Sequence, residues 1–276
     1  MNALLALLAS ALWGTSDFGG GLMSRKLHPS AAVMISQALA LAGLLVALPF
    51  LHVPGGPYLL VGGGAGVIAT LSLAAFYRAM ADAPMSLVAP ISASGTAIPV
   101  LVGVARGEHL GWLQLAGILV TLLGVVLASG PELRSGVPVR RQALGFAVGA
   151  AVGFGVAYTL LALAAGTSVY GTLLSQRIGG LLVLAPIVLR SGILKQIRLS
   201  ARRLGALALI GGCDITANGT YALAASHGDL AVAAVLASLY PVVTALLARG
   251  ILAERLRPVQ SIGVVAALGG VLLLSS

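Results

Sequence analysis

Two carboxylates and one guanidinium stand inside stretches that are otherwise apolar. Asp17 lies in "SALWGTSDFGGG", Asp214 in "GGCDITANGTYALA" and Arg177 in "LLSQRIGG". An ionised side chain at the centre of a bilayer costs roughly 2.5–3.5 kcal/mol on insertion scales, and such groups mark ion paths, proton relays or ligand contacts. A carboxylate there can carry a proton or neutralise a cation. A buried guanidinium calls for a carboxylate partner or an anionic ligand. Arg177 therefore reads as a clamp for a substrate carboxylate or as half of an ion pair with Asp214 or Asp17, with Asp17 the partner to look for. With Arg25 at the interface, Asp17 lies about 12 Å deeper along a helix. That is inside a hydrocarbon half-thickness of about 15 Å.

Other polar residues share these stretches. Asn218 and Tyr221 follow Asp214 at i+4 and i+7, on one helical face. Gln176 adjoins Arg177, and Gln37 stands in a matching Ser-Gln pair earlier in the chain. Trp13, Tyr77, Tyr158, Tyr221 and Tyr240 lie within apolar runs, where a ring with a polar tip suits a partly wet cavity or plain packing. Tyr240 precedes Pro241, which frees a backbone carbonyl in mid-run. The candidate substrate-binding set is Asp17, Arg177, Asp214, Asn218, Tyr221, Tyr240, Trp13, Tyr77, Gln37 and Gln176. Asp17 and Asp214 are the candidates for proton coupling.

The remaining reactive residues are ordinary. His28, His52, His109 and His227 fall in loops or at helix ends, so none serves as an intramembrane relay. Glu108 and Glu254 sit at helix junctions, where each is expected to cap the helix that follows and pair with a nearby arginine. Cys213 is alone, which excludes an internal disulfide, and it is expected to be a small packed residue. No metal site and no cofactor are implied. The glycine-rich stretches lack the strand–loop–helix context of a phosphate cradle.

The elements that carry these residues follow from composition. The 276 residues are 59% hydrophobic and 8% charged, against about 25% charged in a soluble domain. Such a chain cannot build a water-soluble surface, and its apolar runs are too long and continuous for a β-barrel. The expected fold is an all-α membrane protein of ten spans, near residues 3–23, 30–51, 58–80, 84–105, 111–129, 142–163, 169–190, 204–225, 229–249 and 257–275. The first run lacks a basic leader region and is read as a span, not a signal. Gly145, Gly149 and Gly153 form a small-residue stripe expected to pack on a neighbouring helix, and "VGGGAGV" (61–67) offers a second such surface.

Net charge is +9, but the basic residues lie in short loops and are no nucleic-acid footprint. Fourteen of the sixteen follow odd-numbered spans, among them Arg25, Lys26, Arg134, Arg140, Arg198, Arg255 and Arg257. The positive-inside rule places those loops in the cytoplasm and both termini outside, in a prokaryotic-type plasma membrane.

The halves of the chain repeat. "GEHLGWLQLAGILVTLLGV" (107–125) aligns with "AERLRPVQSIGVVAALGGV" (253–271) at an offset of 146. Glu108 meets Glu254, Gln114 meets Gln260, Gly117 meets Gly263 and Gly124 meets Gly270. Ser36-Gln37 matches Ser175-Gln176, Tyr77 matches Tyr221, and Gly14 matches Gly155. Asp17 is thereby paired with Tyr158, and Asp214 with Thr70, so neither acid is inherited from the repeat. Five spans per repeat means that the second half enters the membrane inverted, as in many secondary transporters. The expected division is a first repeat over 1–130, a basic connection over 131–141 and a second repeat over 142–276.

The pattern GE-x-L-x3-Q-x2-G-x6-G-V, its near copy at the end of the chain, "LWGTSDF" and "LASLYPVVTALLARGILAERL" (236–256) together resemble the drug/metabolite transporter (DMT) superfamily, EamA type. The resemblance spans nearly the whole chain. It implies ten helices in two inverted five-helix bundles and an exporter of small metabolites or drugs. Gly95 stands where the first half should carry the counterpart of Pro241, with Pro99 four residues on, so the kink is expected one turn later. Family members more often resemble proteins with both termini in the cytoplasm, whereas the charges here indicate the reverse.

The leading reading is secondary transport of a small cationic or zwitterionic solute by alternating access, coupled to protons, with lipid and solute as partners. The alternatives are an intramembrane lipid- or prenyl-transferring enzyme, which needs clustered acids, and a channel or scaffold, which needs charged rings or filter repeats. Seven scattered acids provide neither.

Overall fold

The computed structural model describes residues 1–24, 26–83, 88, 91–128, 141–197, 199–252 and 258–274. Arg25, Arg134, Arg140, Arg198, Glu254, Arg255 and Arg257 lie outside the described residues. Among the described residues the regular structure is all helical. Its spans are α1 (Asn2–Ser24), α2 (Pro29–Ala47), α3 (Tyr58–Asp82), α4 (Ala97–Ala105), α5 (Trp112–Ala128), α6 (Arg141–Ala165), α7 (Val169–Arg190), α8 (Ala201–Ser226), α9a (Leu230–Ala237) with α9b (Tyr240–Leu252), and α10 (Pro258–Leu274). Helix starts are set locally. Pro29 opens α2, where its missing N–H is not needed. Ser168 Oγ accepts from Gly171 N at the head of α7, and Ser200 Oγ from Arg203 N at the head of α8.

Among the described residues four helices are long and apolar enough to cross a membrane by length and composition: those over 29–50, 58–79, 141–165 and 169–190. The helices α1 and α8 have the length but not the hydropathy, because they carry Asp17, Asp214, Asn218 and several hydroxyls. Large apolar side chains cover the outside, among them Leu60, Leu182, Val265 and Leu272. This is a lipid-facing surface, and the protein is integral to the membrane.

The packing is two-fold in pattern. The main contacts join α5 to α10, α3 to α6, α3 to α7, and α1 to α8. Replacing each span by the one five later converts α1–α8 into α6–α3 and α3–α7 into α8–α2, both of which occur, while α5–α10 maps onto itself. The repeated glycines explain that last pair. A Cβ on Gly124 would strike the Ala267 backbone, and one on Gly263 the Ala128 backbone. The shared sequence pattern is therefore a helix crossing at which two backbones touch.

Both breaks in the spans rest on glycine too. The carbonyl of Tyr240, at the α9a–α9b break, stands 2.7 Å from where a Cβ of Gly14 would be, and Gly155 meets Gly95 in the same way. The first-half break is a 3₁₀ turn at Ser94–Thr96. It falls on Gly95 itself and not one turn later. Pro99 lies in the first turn of α4, where it needs no donor.

Two packing expectations change. Gly145 and Gly149 have open space beside them, and only Gly153 of that stripe meets a neighbour, Ser72. Ala143, Ala147 and Ala150 form the packed face of α6 instead. In 61–67 the expectation holds at Gly62 and Gly66, which press on Thr172, Ser175 and Gln176 of α7. Cys213 is half-buried within α8.

Candidate functional site

Along α8, the four-residue spacing of Asp214 and Asn218 turns both side chains inward. Asn218 Nδ2 donates to the Asp214 carbonyl at 2.7 Å, which fixes its amide, and Gln176 Nε2 of α7 donates to Asn218 Oδ1 at 3.5 Å. One residue on, Arg177 sends one terminal nitrogen to Asp214 Oδ2 and the other to Gln37 Oε1 of α2, each at 2.6 Å. Arg177 is 3% exposed and Asp214 27%. The pair is thus a guanidinium sealed in protein and a carboxylate open to a cavity. Arg177 takes Asp214 as its partner and not Asp17. Among the described residues Asp17 has neither a hydrogen-bond nor an ion-pair partner.

That cavity contains about 590 Å³ of empty space, its open mouth included. Trp13, Asp17, Gln37, Gln176, Arg177, Asp214, Asn218 and Tyr240 all border it. The repeat places it on the pseudo-two-fold axis. Both members of Asp17/Tyr158, Thr70/Asp214 and Gln37/Gln176 line it.

Two of the candidates lie elsewhere. Tyr221 is 1% exposed and borders a separate apolar void with Pro99, Ala234 and Ala237. Tyr77 borders a second cleft. Sequence reasoning missed Phe76 and Phe154, because a phenylalanine in an apolar span carries no signal of its own. Tyr158 could have been placed by its repeat pairing with Asp17. These rings are continuous. Phe76 meets Phe154 at 6.0 Å, Phe154 stacks on Tyr158 at 5.7 Å, and Tyr158 meets Trp13 at 4.7 Å. The indole N–H of Trp13 and the hydroxyl of Tyr221 are buried without a partner among the described residues.

Glu108 also departs from expectation. Its two carboxylate oxygens accept from Leu230 N at 2.8 Å and Ala231 N at 3.0 Å. It caps α9a across the repeat boundary and not the helix that follows it. Glu254 lies outside the described residues. Among the described residues no group of three or more acidic, histidine or cysteine side chains could hold a metal ion.

The model of the EamA-like transporter family matches residues 1–130 and again 141–276. The chain belongs to the EamA-like transporter family. The double match accords with two inverted five-helix repeats, and membership makes this membrane protein a transporter of the DMT type. A solved structure described only as "Crystal structure of protein" covers 99% of the chain and 96% of its own, with a TM-score of 0.77 at 19% identity. At that identity the likeness shows the fold alone. No curated protein matches the chain.

Proposed function

We propose that this EamA-like transporter is a secondary active exporter of small cationic or zwitterionic metabolites, working by alternating access and coupled to protons. The observation that carries the reading is Asp17, an unpaired carboxylate facing an aromatic-walled cavity on the symmetry axis. Asp214 is already neutralised by Arg177, so Asp17 leaves one negative charge to be met by a proton or by a cationic group on the solute. Aromatic faces around it favour an organic cation further. A zwitterion would set its ammonium at Asp17 and its carboxylate towards the amides of Gln176 and Asn218.

The two repeats, 1–130 and 142–276, are the rocking units, joined by 131–141. Loop charge supports a plasma-membrane protein with odd-numbered loops in the cytoplasm and both termini outside.

The test is transport by the purified protein in liposomes under an imposed pH gradient, with ethidium as cation, lysine as cationic amino acid and glutamate as anion. Ethidium or lysine should move against the proton gradient and acidify or alkalinise the lumen, and Asp17→Asn should abolish this. Preferred movement of glutamate would refute the charge assignment. Release of a chemically altered product would refute transport.

A further inference from the structure

A second cleft adjoins the central cavity and differs from it in chemistry. It contains about 410 Å³ of empty space, its open mouth included, and is lined by Ser16, Ser24, Ser36 and Tyr77 as well as Asp17 and Asp214, interspersed with aliphatic residues. No phenylalanine or tryptophan borders it. The two spaces share both carboxylates together with Gln37 and Leu73. The acids therefore stand on a partition, with Trp13, Phe76 and Phe154 on one side and Ser16, Ser24 and Ser36, among aliphatic neighbours, on the other.

The cleft leads in one direction. Ser24 is the last residue of α1, Ala32 and Val33 lie near the start of α2, Leu207 lies near the start of α8 and Tyr77 near the end of α3. All are helix ends on the side of the odd-numbered loops. From Asp17 to Ser24 is about 10 Å along the helix. The Ser16 hydroxyl donates to Ile210 O and that of Ser36 to Val33 O, leaving oxygen lone pairs for water. The Ser24 hydroxyl is buried without a partner among the described residues. The serine and carboxylate oxygens along it give water hydrogen-bond partners.

We propose that this cleft is the path by which protons exchange between Asp17 and the odd-loop side, separate from the aromatic cavity that receives the solute. The inference rests on the proton-coupled reading above. The groups facing Asp17 are Asp214 on α8, Tyr77 on α3, Tyr158 on α6 and Tyr240 on α9b, with the Arg177 guanidinium turned to Asp214 and Gln37. Proton transfer forms an O–H bond on the Asp17 carboxylate and breaks one in hydronium, leaving water. A separate path lets a proton reach the acid while the solute still fills the cavity. One carboxylate can then hold either charge in turn, which is what exchange requires.

The test uses the full chain in liposomes, with Cys213→Ala removing the only cysteine. Ser24→Cys and Ser36→Cys are treated with MTSES, a small charged thiol reagent, from either side. Ala234→Cys, in the apolar void, is the control. The first two should react at least tenfold faster than the control, and from the odd-loop side. Absence of that difference overturns the path. Ser36→Cys is folded first and plugged afterwards, so misfolding cannot mimic the result. After plugging, ethidium exchange at equal pH should stay within twofold, while ethidium movement driven by a pH gradient should fall at least tenfold. An equal fall in both overturns the proposal. If the unplugged protein moves ethidium without response to pH, proton coupling itself fails. If it does not move ethidium, the cation assignment fails, and the thiol reaction still decides whether the cleft is an open path. A sodium gradient that replaces the pH gradient in driving ethidium would also overturn it.

Discussion

Replacing Asp214 by asparagine should destabilise the protein more than replacing Arg177 by glutamine, although the two residues form one ion pair. The reason is unequal burial. Arg177 is 3% exposed and Asp214 27%. An arginine deprived of its partner cannot shed its proton and exposes little of itself to the cavity, whereas an orphaned Asp214 is far more exposed there and can hydrate. Breaking a buried pair by removing one partner costs about 3–5 kcal/mol. Asparagine retains the acceptor oxygen, so about 3 kcal/mol is expected for Asp214→Asn, equivalent to roughly 6–12 °C in Tm by the scaling for chains of similar size. For Arg177→Gln roughly 1 kcal/mol is expected, because the carboxylate left behind is partly exposed, with transport lost and insertion intact. The double variant should be more stable than Asp214→Asn alone, because it removes the stranded cation. The assay is thermal unfolding in detergent, followed by size exclusion. If Arg177→Gln is the more damaging change, or if the double variant shows the sum of the two losses, the argument from unequal burial is wrong. Wild-type flux from Arg177→Gln would also remove Arg177 from the transport cycle.

Three further expectations concern the scaffold. Tyr221→Phe deletes a buried hydroxyl without a partner, so Tm should rise by the equivalent of about 1–3 kcal/mol, and a fall would mean that the hydroxyl is satisfied. Gly66→Ala places a Cβ against the Gln176 backbone, while Gly64→Ala has open space. The first should lower the yield of folded protein several-fold on size exclusion and the second leave it unchanged. Glu108→Ala removes both acceptors at the head of α9a, with an expected loss of about 1–2 kcal/mol in thermal unfolding. Glu108→Gln, with one oxygen left, should lose roughly half of that, and equal losses would show that charge matters more than the cap.

Much of this was legible in the sequence, for physical reasons. Hydrocarbon admits few charges, so the charged residues that remain inside spans are conspicuous, and Asp17, Arg177 and Asp214 do converge on one cavity. The inverted repeat was visible because helix crossings at Gly117, Gly124, Gly263 and Gly270 leave no room for a side chain. Other features carry no such signature. Phe76 and Phe154 differ from lipid-facing phenylalanines only in direction, which composition does not encode. Gly145 and Gly149 have the spacing of a packing stripe but face away from neighbours, while alanines on the opposite side of the helix make the contact. Arg177 could have paired with either acid. Its choice depends on α7 lying against α8, a tertiary fact. Glu108 caps a helix more than a hundred residues away, and sequence spacing speaks only for the next one.

The division of bonds between the halves bears on how such a molecule could move. Arg177–Asp214 lies wholly within the second repeat, whereas Arg177–Gln37, Ser16–Ile210, Thr244–Gly14 and Glu108 with the head of α9a all cross between repeats. A rocking motion leaves the first intact and must strain some of the others. The crossing bonds are not at one level. Glu108 ties the repeats at the even-loop end, Ser16 ties them towards the odd-loop end, and Arg177–Gln37 lies beside the cavity between them. Releasing either end therefore leaves the other end and the centre joined. Arg177 is held in shape by its own half while its second hydrogen bond reports the position of the other half. A cation or proton arriving at Asp17 in the proposed cycle changes the charge beside that central contact. In the proposed cycle this couples occupancy of the cavity to the bond that spans the two repeats.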